Sequence, residues 1–577
     1  MMKSHIKFCF QTKKSMKLLL ALVLMLGTTA TVIPQRRRGT GGPQRAMSTP
    51  TINESALRAN IKYLSDDLME GRAPGARGGE LAAKYIAAQL EELGLKGAGQ
   101  QGSFFQPVSL VGVKADPKTT LTVSSGGKRE TFKFAEEFVA FTGAQTENVS
   151  LDEDLVFVGY GIDAPEQRWN DYKGSANDYR GKVLVMMVND PPATPSEPNL
   201  FGARALTYYG RWTYKFEEAA RRGAAGVILI HTDESAGYPW GVVRTSNGSW
   251  RFDLARGANS DKPFLKMRSW VTNDTAQKIF RLAGQDLDEL RRRAASRDFQ
   301  PVKLNAKASI DIRSEVKRVE SMNVAGVLQG SDPRLRDEYV IYSAHWDHLG
   351  IGEPNKRGDN IYNGAVDNAS GVSAVLGLAD AFSKLPANER PRRSIMFFFP
   401  TAEEQGLLGA EWYSQHPLVP LRKTAANVNL DSMNILGRTR DFVPLGAERS
   451  SLMRVVEAAA RARSMTVGTD PRPEQGSFYR SDHFPFAKVG VPSISLKEGM
   501  DFIGRPKEWG EQQFRAYNTA NYHQPSDEYS DSWNLEGIIQ ETVLAFEIGR
   551  RIADMNEMPR FNPTDEFAKA DRNRMGE

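Results

Sequence analysis

Three apolar runs in the second half of the chain each stop at a polar residue able to bind a ligand, and this limits the fold more than any other feature. Asp337-Glu-Tyr-Val-Ile-Tyr-Ser343 reads as a short buried strand rich in β-formers, with His345 just past its end. Ser394-Ile-Met-Phe-Phe-Phe-Pro400 runs directly into Glu403-Glu404, and Ala426-Asn-Val-Asn-Leu430 ends at Asp431. In open α/β sheets the ligand crevice lies outside the carboxyl ends of the strands. A chain with three such strand ends is expected to gather them along one edge of a sheet.

Other residues join this set. Asp347, two positions after His345, can orient the imidazole through its second nitrogen, a common arrangement behind metal-binding histidines. From Ser370 to Phe382 the chain reads as a helix, which puts Asp367 on a tight Gly/Asn/Ser turn just before the helix N-terminus. Adjacent glutamates after a strand point in different directions, so one of Glu403 and Glu404 can bind a metal while the other stays free as a base. Asn521-Tyr-His523 adds a loop histidine with acidic neighbours. Each residue alone has an ordinary reading: a structural histidine, a solvated pair of glutamates, an N-cap aspartate. Together those readings require five coincidences, all at strand ends or in loops. Nitrogen and carboxylate oxygen donors without a thiolate suit catalytic zinc.

The motifs His345-x-Asp347, Gly364-Ala-Val-Asp367-Asn-Ala-Ser-Gly371, Glu403-Glu404, Asn429-Leu-Asp431, Ser481-Asp482-His483-Phe-Pro-Phe and Tyr522-His523 resemble those of the two-zinc exopeptidases. That family includes secreted bacterial aminopeptidases, glutamate carboxypeptidase and the metal-free transferrin receptor. The resemblance covers about residues 320–530, and Leu64–Leu95 fits the family's N-terminal part. It implies a three-layer α/β/α sandwich with a mostly parallel central sheet. It also implies two Zn2+ ions bridged by Asp367, one completed by His345 and Asp431, the other by Glu404 and His523. Glu403 would be the catalytic base and Asp347 the carboxylate behind His345. No ligand position departs from the pattern, which argues against a metal-free relative. His348 and His483 receive no role and read as walls of the site. The implied activity is zinc-dependent hydrolysis of peptide substrates, with an aminopeptidase favoured over a carboxypeptidase or dipeptidase. A single-zinc cyclase and a non-catalytic binding protein both fit the intact ligand set less well. Trp346, Phe478, Tyr479, Arg480, Tyr517 and Tyr522 flank the motifs as pocket walls or as packing.

At 577 residues the chain is too long for one simple core. Residues 1–30 carry lysines, an apolar run from Leu18 to Leu26 and a small-residue stretch, the pattern of a secretory signal peptide, with translation starting at Met1 or Met16. The protein is therefore expected to be secreted or periplasmic, with no stable membrane anchor once the signal is removed. The only cysteine, Cys9, lies in this segment. So do five lysines and no acid, which accounts for the whole formal charge of +5 and removes any argument for nucleic-acid binding. A flexible linker (31–47) would lead into the first part of the peptidase (48–116). An inserted β-rich unit (117–308) follows, then the remainder of the peptidase with its dinuclear site (309–555) and a charged, mobile tail (556–577). Lys215–His231 within the insert resembles the protease-associated (PA) domain, and His231 there reads as structural. The insert carries no catalytic constellation of its own, which points to a lid or a role in substrate access.

Overall fold

In a computed structural model, residues 49–248, 250–257 and 261–577 are described. The expected signal peptide, linker and alternative start lie outside the described residues. Alternation along the apolar runs shows how the first sheet is covered. In the strands β1 (Phe105–Ala115), β2 (Val302–Leu328), β3 (Tyr339–Ser343), β4 (Ser394–Phe399), β5 (Thr424–Leu430), β6 (Asp441–Leu445), β7 (Thr466–Val467) and β8 (Ser493–Glu498), successive side chains face opposite layers. Val340, Tyr342, Phe397 and Phe399 enter one apolar cluster, whereas Ile341, Met396 and Phe398 enter another. Burial on both faces explains why β3 and β4 read as continuous apolar runs rather than as alternating ones.

The strands lie in the order β1-β2-β4-β3-β5-β8-β6-β7. The central four, β4-β3-β5-β8, are parallel. Antiparallel pairing joins β2 to β4, β1 to β2 and β6 to β8. The larger cluster is roofed by α1 (Glu54–Leu64), α2 (Arg77–Glu92), α3 (Gly371–Ser383), α5 (Leu452–Ala462) and α7 (Glu536–Asp554). The opposite face packs against α4 (Leu408–Gln415) and α6 (His483–Lys488). This is the expected α/β/α sandwich. Asn53 caps α1 by accepting from the Ala56 N–H. α7 approaches the sheet closely because Gly549 has no side chain: a Cβ there would lie 1.9 Å from the Tyr342 hydroxyl, which donates to the Ala545 carbonyl.

A second sheet has its own apolar cluster. Asn148–Phe157, Val183–Met187, Gly226–His231 and Met267–Thr272 run parallel in it, edged by antiparallel strands. Asp116 and Pro117 form the turn that leads from β1 into this sheet. At the other boundary, Ala308 does not lie in turn-rich sequence. It sits inside β2, which pairs with the second sheet through residue 313 and with β1 from residue 314 on. The segment also returns to the first sheet, where Arg251–Leu254 pairs with β1. His231 is buried, with its Nε2 3.0 Å from the Tyr238 carbonyl. Among the described residues no helix is long and apolar enough to cross a membrane.

The C-terminal residues also differ from expectation. Instead of a mobile tail they form α8 (Ala568–Met575), with Phe561, Phe567, Ala568 and Asp571 buried. Charge density alone suggested mobility, but the charges are paired: Arg560 and Arg574 both bond Asp571.

The loop Glu70–Gly75 ties the N-terminal part of the chain to the segments that follow β3 and precede α3. Arg72 has a positive φ and is buried to 1% exposure. Its guanidinium donates to the carbonyls of Leu64, Trp346, Asn363 and Gly364. Burial pulls its pKa down to about 10, so it stays charged at neutral pH. Arg72→Met keeps the apolar stem but leaves four carbonyls without a donor. It should lower unfolding stability by about 3 kcal/mol or more, read from urea unfolding; a change below about 1 kcal/mol would contradict this bracing role.

Candidate metal centre

The carboxyl ends of β3, β4 and β5 deliver His345, Glu403-Glu404 and Asp431 to one place, as the strand pattern requires. Asp367 arrives on the turn before α3, followed by a cis peptide bond to Asn368. His523 arrives from the loop after the helix Trp509–Ala520. His345 Nε2 lies 3.2 Å from Asp367 Oδ1 and 3.6 Å from Asp431 Oδ1. His523 Nε2 lies 3.4 Å from Asp367 Oδ2 and 3.0 Å from Glu404 Oε2. The two oxygens of Asp367 thus face different imidazoles. Ligand atoms of His345, Glu403 and Asp431 also lie within 4.8 Å of one another.

Backbone staples fix this arrangement. Val366 and Asp367 N–H groups donate to the buried Asp527 carboxylate, and Ala365 N–H donates to the Asp527 carbonyl. Tyr517 donates its hydroxyl to Asp527 from the other side. Asn368 ties the Asp367 turn to the Asp431 turn: its Nδ2 donates to the Leu430 carbonyl and its Oδ1 accepts from the Ser432 and Gly371 N–H groups. Ser370 completes the joint, donating to the Val366 carbonyl and accepting from Met433 N–H.

The residue behind His345 acts differently from the expected pairing. Nδ1 of His345 lies 3.1 Å from the backbone carbonyl of Asp347 and 3.9 Å from its carboxylate. That carboxylate instead accepts from the Glu403 N–H at 3.1 Å and so sets the start of the glutamate pair. His348, unassigned from sequence, is buried with Nδ1 2.7 Å from Glu404 Oε1. His483 is buried against Phe478, and burial pushes its pKa down to about 3, leaving it neutral. Of the flanking aromatics, Trp346, Phe478 and Tyr479 are packed away. Tyr522 is 43% exposed and stacks on His523 with ring centroids 3.9 Å apart. Arg480 is exposed.

The electrostatics is that of a cluster with too many carboxylates. Burial works against every charge here. Even so, Lys497 and His345 hold Asp431 well below the usual carboxylate range, and His345 and His523 do the same for Asp367. Both histidines are driven well above their ordinary value, against burial: Glu403 leads for His345 and Glu404 for His523. Glu403 goes the other way. Burial first, then the nearby Glu404, Asp482 and Asp431, push its carboxyl well up.

The donor set fits divalent zinc. Donors at about 2.0–2.2 Å from a tetrahedral ion lie about 3.3–3.6 Å from one another, and the four imidazole–carboxylate separations run from 3.0 to 3.6 Å. Asp347 Oδ2 is buried without a hydrogen-bond partner. Positive charge shared among these carboxylates would satisfy the cluster. Asp527, Arg72 and Ser481 were not singled out from sequence. Ser481 stands inside a recognised motif and Asp527 four residues after His523, whereas Arg72 lies in a loop remote from the motifs.

Residues 323–547 match the model of Peptidase family M28. The chain is 26% identical over 270 residues to a probable leucine aminopeptidase 2 of Aspergillus oryzae, covering 44% of this chain and 50% of the relative. It is 34% identical over 135 residues to the aminopeptidase NAALADL1 of Mus musculus, covering 23% of this chain and 16% of the relative. The chain thus spans half the length or less of these curated relatives. A solved aminopeptidase from Aneurinibacillus sp. strain AM-1 aligns with TM-score 0.48 at 21% identity, over 88% of this chain and 95% of that one.

Proposed function

We propose that the chain is a secreted zinc-dependent exopeptidase, of the aminopeptidase kind, holding two zinc ions. The observation that carries this reading is the Asp367 carboxylate, whose two oxygens face two different imidazoles at 3.2 and 3.4 Å. His345 and Asp431 would hold one ion with Asp367, and Glu404 and His523 the other. The match of residues 323–547 to the model of Peptidase family M28 supports the hydrolytic reading, and the names of the two relatives support an aminopeptidase. The basic, apolar and small-residue pattern of residues 1–30 supports export. The 117–308 segment is read as an inserted PA-like domain on its Lys215–His231 pattern.

Zinc bound there would supply a Lewis acid and a water of lowered pKa. The chain's own contribution centres on Glu403. Its backbone N–H is pinned by Asp347, and burial first, then the neighbouring carboxylates, push its carboxyl up toward holding a proton. Such a group can take the proton of the attacking water and return it to the departing amine. His348 beside Glu404 and the backbone carbonyl of Asp347 beside His345 keep those two donors facing the cluster.

The reading is tested with purified mature protein on matched peptides bearing free or acetylated N-termini, alongside elemental analysis. Two zinc ions per chain and cleavage only of the free-amine peptides are expected. Release of a C-terminal residue from the acetylated peptides would transfer the activity to a carboxypeptidase. Asp367→Ala should lose both ions together, whereas His523→Ala should mainly weaken one; two tightly held ions in the Asp367→Ala protein would exclude the bridge. Glu403→Gln should keep both ions yet lose about 10²-fold or more in turnover, and near-wild-type kcat in that variant would remove Glu403 as the base.

A further inference from the structure

The C-terminal residues grip the turn that leads into the candidate metal centre. Residues 560–562 pair with the turn around Arg449. Ser451 N–H donates to the Arg560 carbonyl, and Asn562 bonds both the Arg449 and the Glu448 carbonyls. Next along the chain, the Glu566 carboxylate accepts from the Tyr479 hydroxyl at 2.8 Å and from the Arg449 guanidinium. Phe567 packs on Phe478 and Phe484, with centroids 6.3 and 6.2 Å away. The Arg449 guanidinium sits 4.8 Å from the Phe478 ring and 5.0 Å from the Phe567 ring. α8 fastens the far end, because Arg574 donates to the carbonyls of Leu421 and Thr424, where β5 begins. A Cβ on Gly490 would lie 2.3 Å from the Asp571 nitrogen, so α8 lies directly against that turn.

Two residues beyond Tyr479, Ser481 ends a buried chain of hydrogen bonds with a defined direction. Asn427 Nδ2 donates to Ser343 Oγ, Ser343 Oγ to Asn429 Oδ1, Asn429 Nδ2 to Ser481 Oγ, and Ser481 Oγ to Asp431 Oδ2. A hydroxyl carries one proton. With Asn429 donating to its oxygen, the Ser481 proton is committed to Asp431 Oδ2, at 2.6 Å. Asp431 Oδ1 is left facing His345 Nε2. None of Glu566, Arg449 and Tyr479 is among the ligand-type residues of the cluster, so they can act on it only through this turn.

We infer that Arg560–Glu577 is a positioning element for the metal centre: by clamping Phe478 and Tyr479 through Glu566 and Phe567, it fixes the Ser481 hydroxyl that orients Asp431. Ser481 and Glu566 are positioning residues and touch no reacting atom. The inference rests on the proposed zinc reading.

Zinc affinity of the full chain, measured by competition with a chelator, tests it without reference to activity. Ser481→Ala should weaken one of the two ions by about 10–100-fold, and Ser481→Thr, which keeps the hydroxyl, should recover most of that loss. Glu566→Ala and Tyr479→Phe should weaken the same ion several-fold and leave the other unchanged. Arg392→Ala is the control for stability alone. It breaks a pair with Asp332, near the opposite ends of the strands, and should lower the melting temperature without changing either affinity. If Glu566→Ala melts earlier but binds both ions as wild type does, the tail is only structural and the inference falls. If Ser481→Ala binds both ions normally, the route through Asp431 is wrong. A wild-type chain that binds no zinc would overturn the proposed function, and this inference with it.

Discussion

Carboxylates of Asp367, Glu404, Asp431 and Glu403 converge in a buried space, and the groups that set positive charge against them are the imidazoles of His345 and His523, with Lys497 beside Asp431. Mutual repulsion at these distances would scatter the side chains if they were free to move. Much of the surrounding structure can be understood as what prevents that. The carboxylates come from three separate strand ends or turns, with Glu403 and Glu404 sharing one, and these turns are held through main-chain groups rather than by the carboxylates themselves. Asn368 joins the Asp367 and Asp431 turns, Asp527 holds the N–H groups of the first, and Asp347 holds the N–H of Glu403. Arg72 braces the carbonyls beside them. The carboxylate oxygens are thereby left to face inward.

His345, Glu403, Glu404 and Asp431 were legible in the sequence because they follow apolar runs, and such runs mark strand ends without knowledge of the fold. A helix beside them was legible too: the stretch read as helical from Ser370 to Phe382 is α3, Gly371–Ser383. What escaped notice has no local signature. Arg72 resembles any loop arginine until its four carbonyl partners, which come from segments far apart in the chain, are known. Ser481 lies within a recognised motif, yet its proton's destination depends on Asn429, Ser343 and Asn427, which alternate along neighbouring strands. Composition misled at the C-terminus. Charged residues at a chain end suggest solvation, but Asp571 is flanked by Arg560 and Arg574, and the intervening phenylalanines are buried. The Asp347 pairing was near the mark in place and different in atom, because a backbone carbonyl reaches His345 Nδ1 more directly than the side chain does.

The route from the C-terminal segment to Asp431 also shows why the site reaches beyond its ligands. The 477–483 turn is held by the tail on one side and, on the other, by Tyr208 of the 117–308 segment, whose ring lies 6.4 Å from that of Tyr479 and 5.1 Å from that of Phe484 at the start of α6. Lys488, at the end of α6, pairs with Glu217 of the same neighbouring segment. Pieces of chain remote in sequence thus press on one turn, and the hydroxyl at its end inherits their rigidity.

The continuous strand Val302–Leu328 has a mechanical meaning. Its first half is hydrogen-bonded into one sheet and its second half into the other, with no loop between them. Two bodies joined by a flexible linker can swing apart at little cost, whereas two sheets sharing a beam can separate only by twisting the beam or by breaking its ladder. The two sheets are accordingly set in one fixed relation during folding, and neither can move without straining the strand they share.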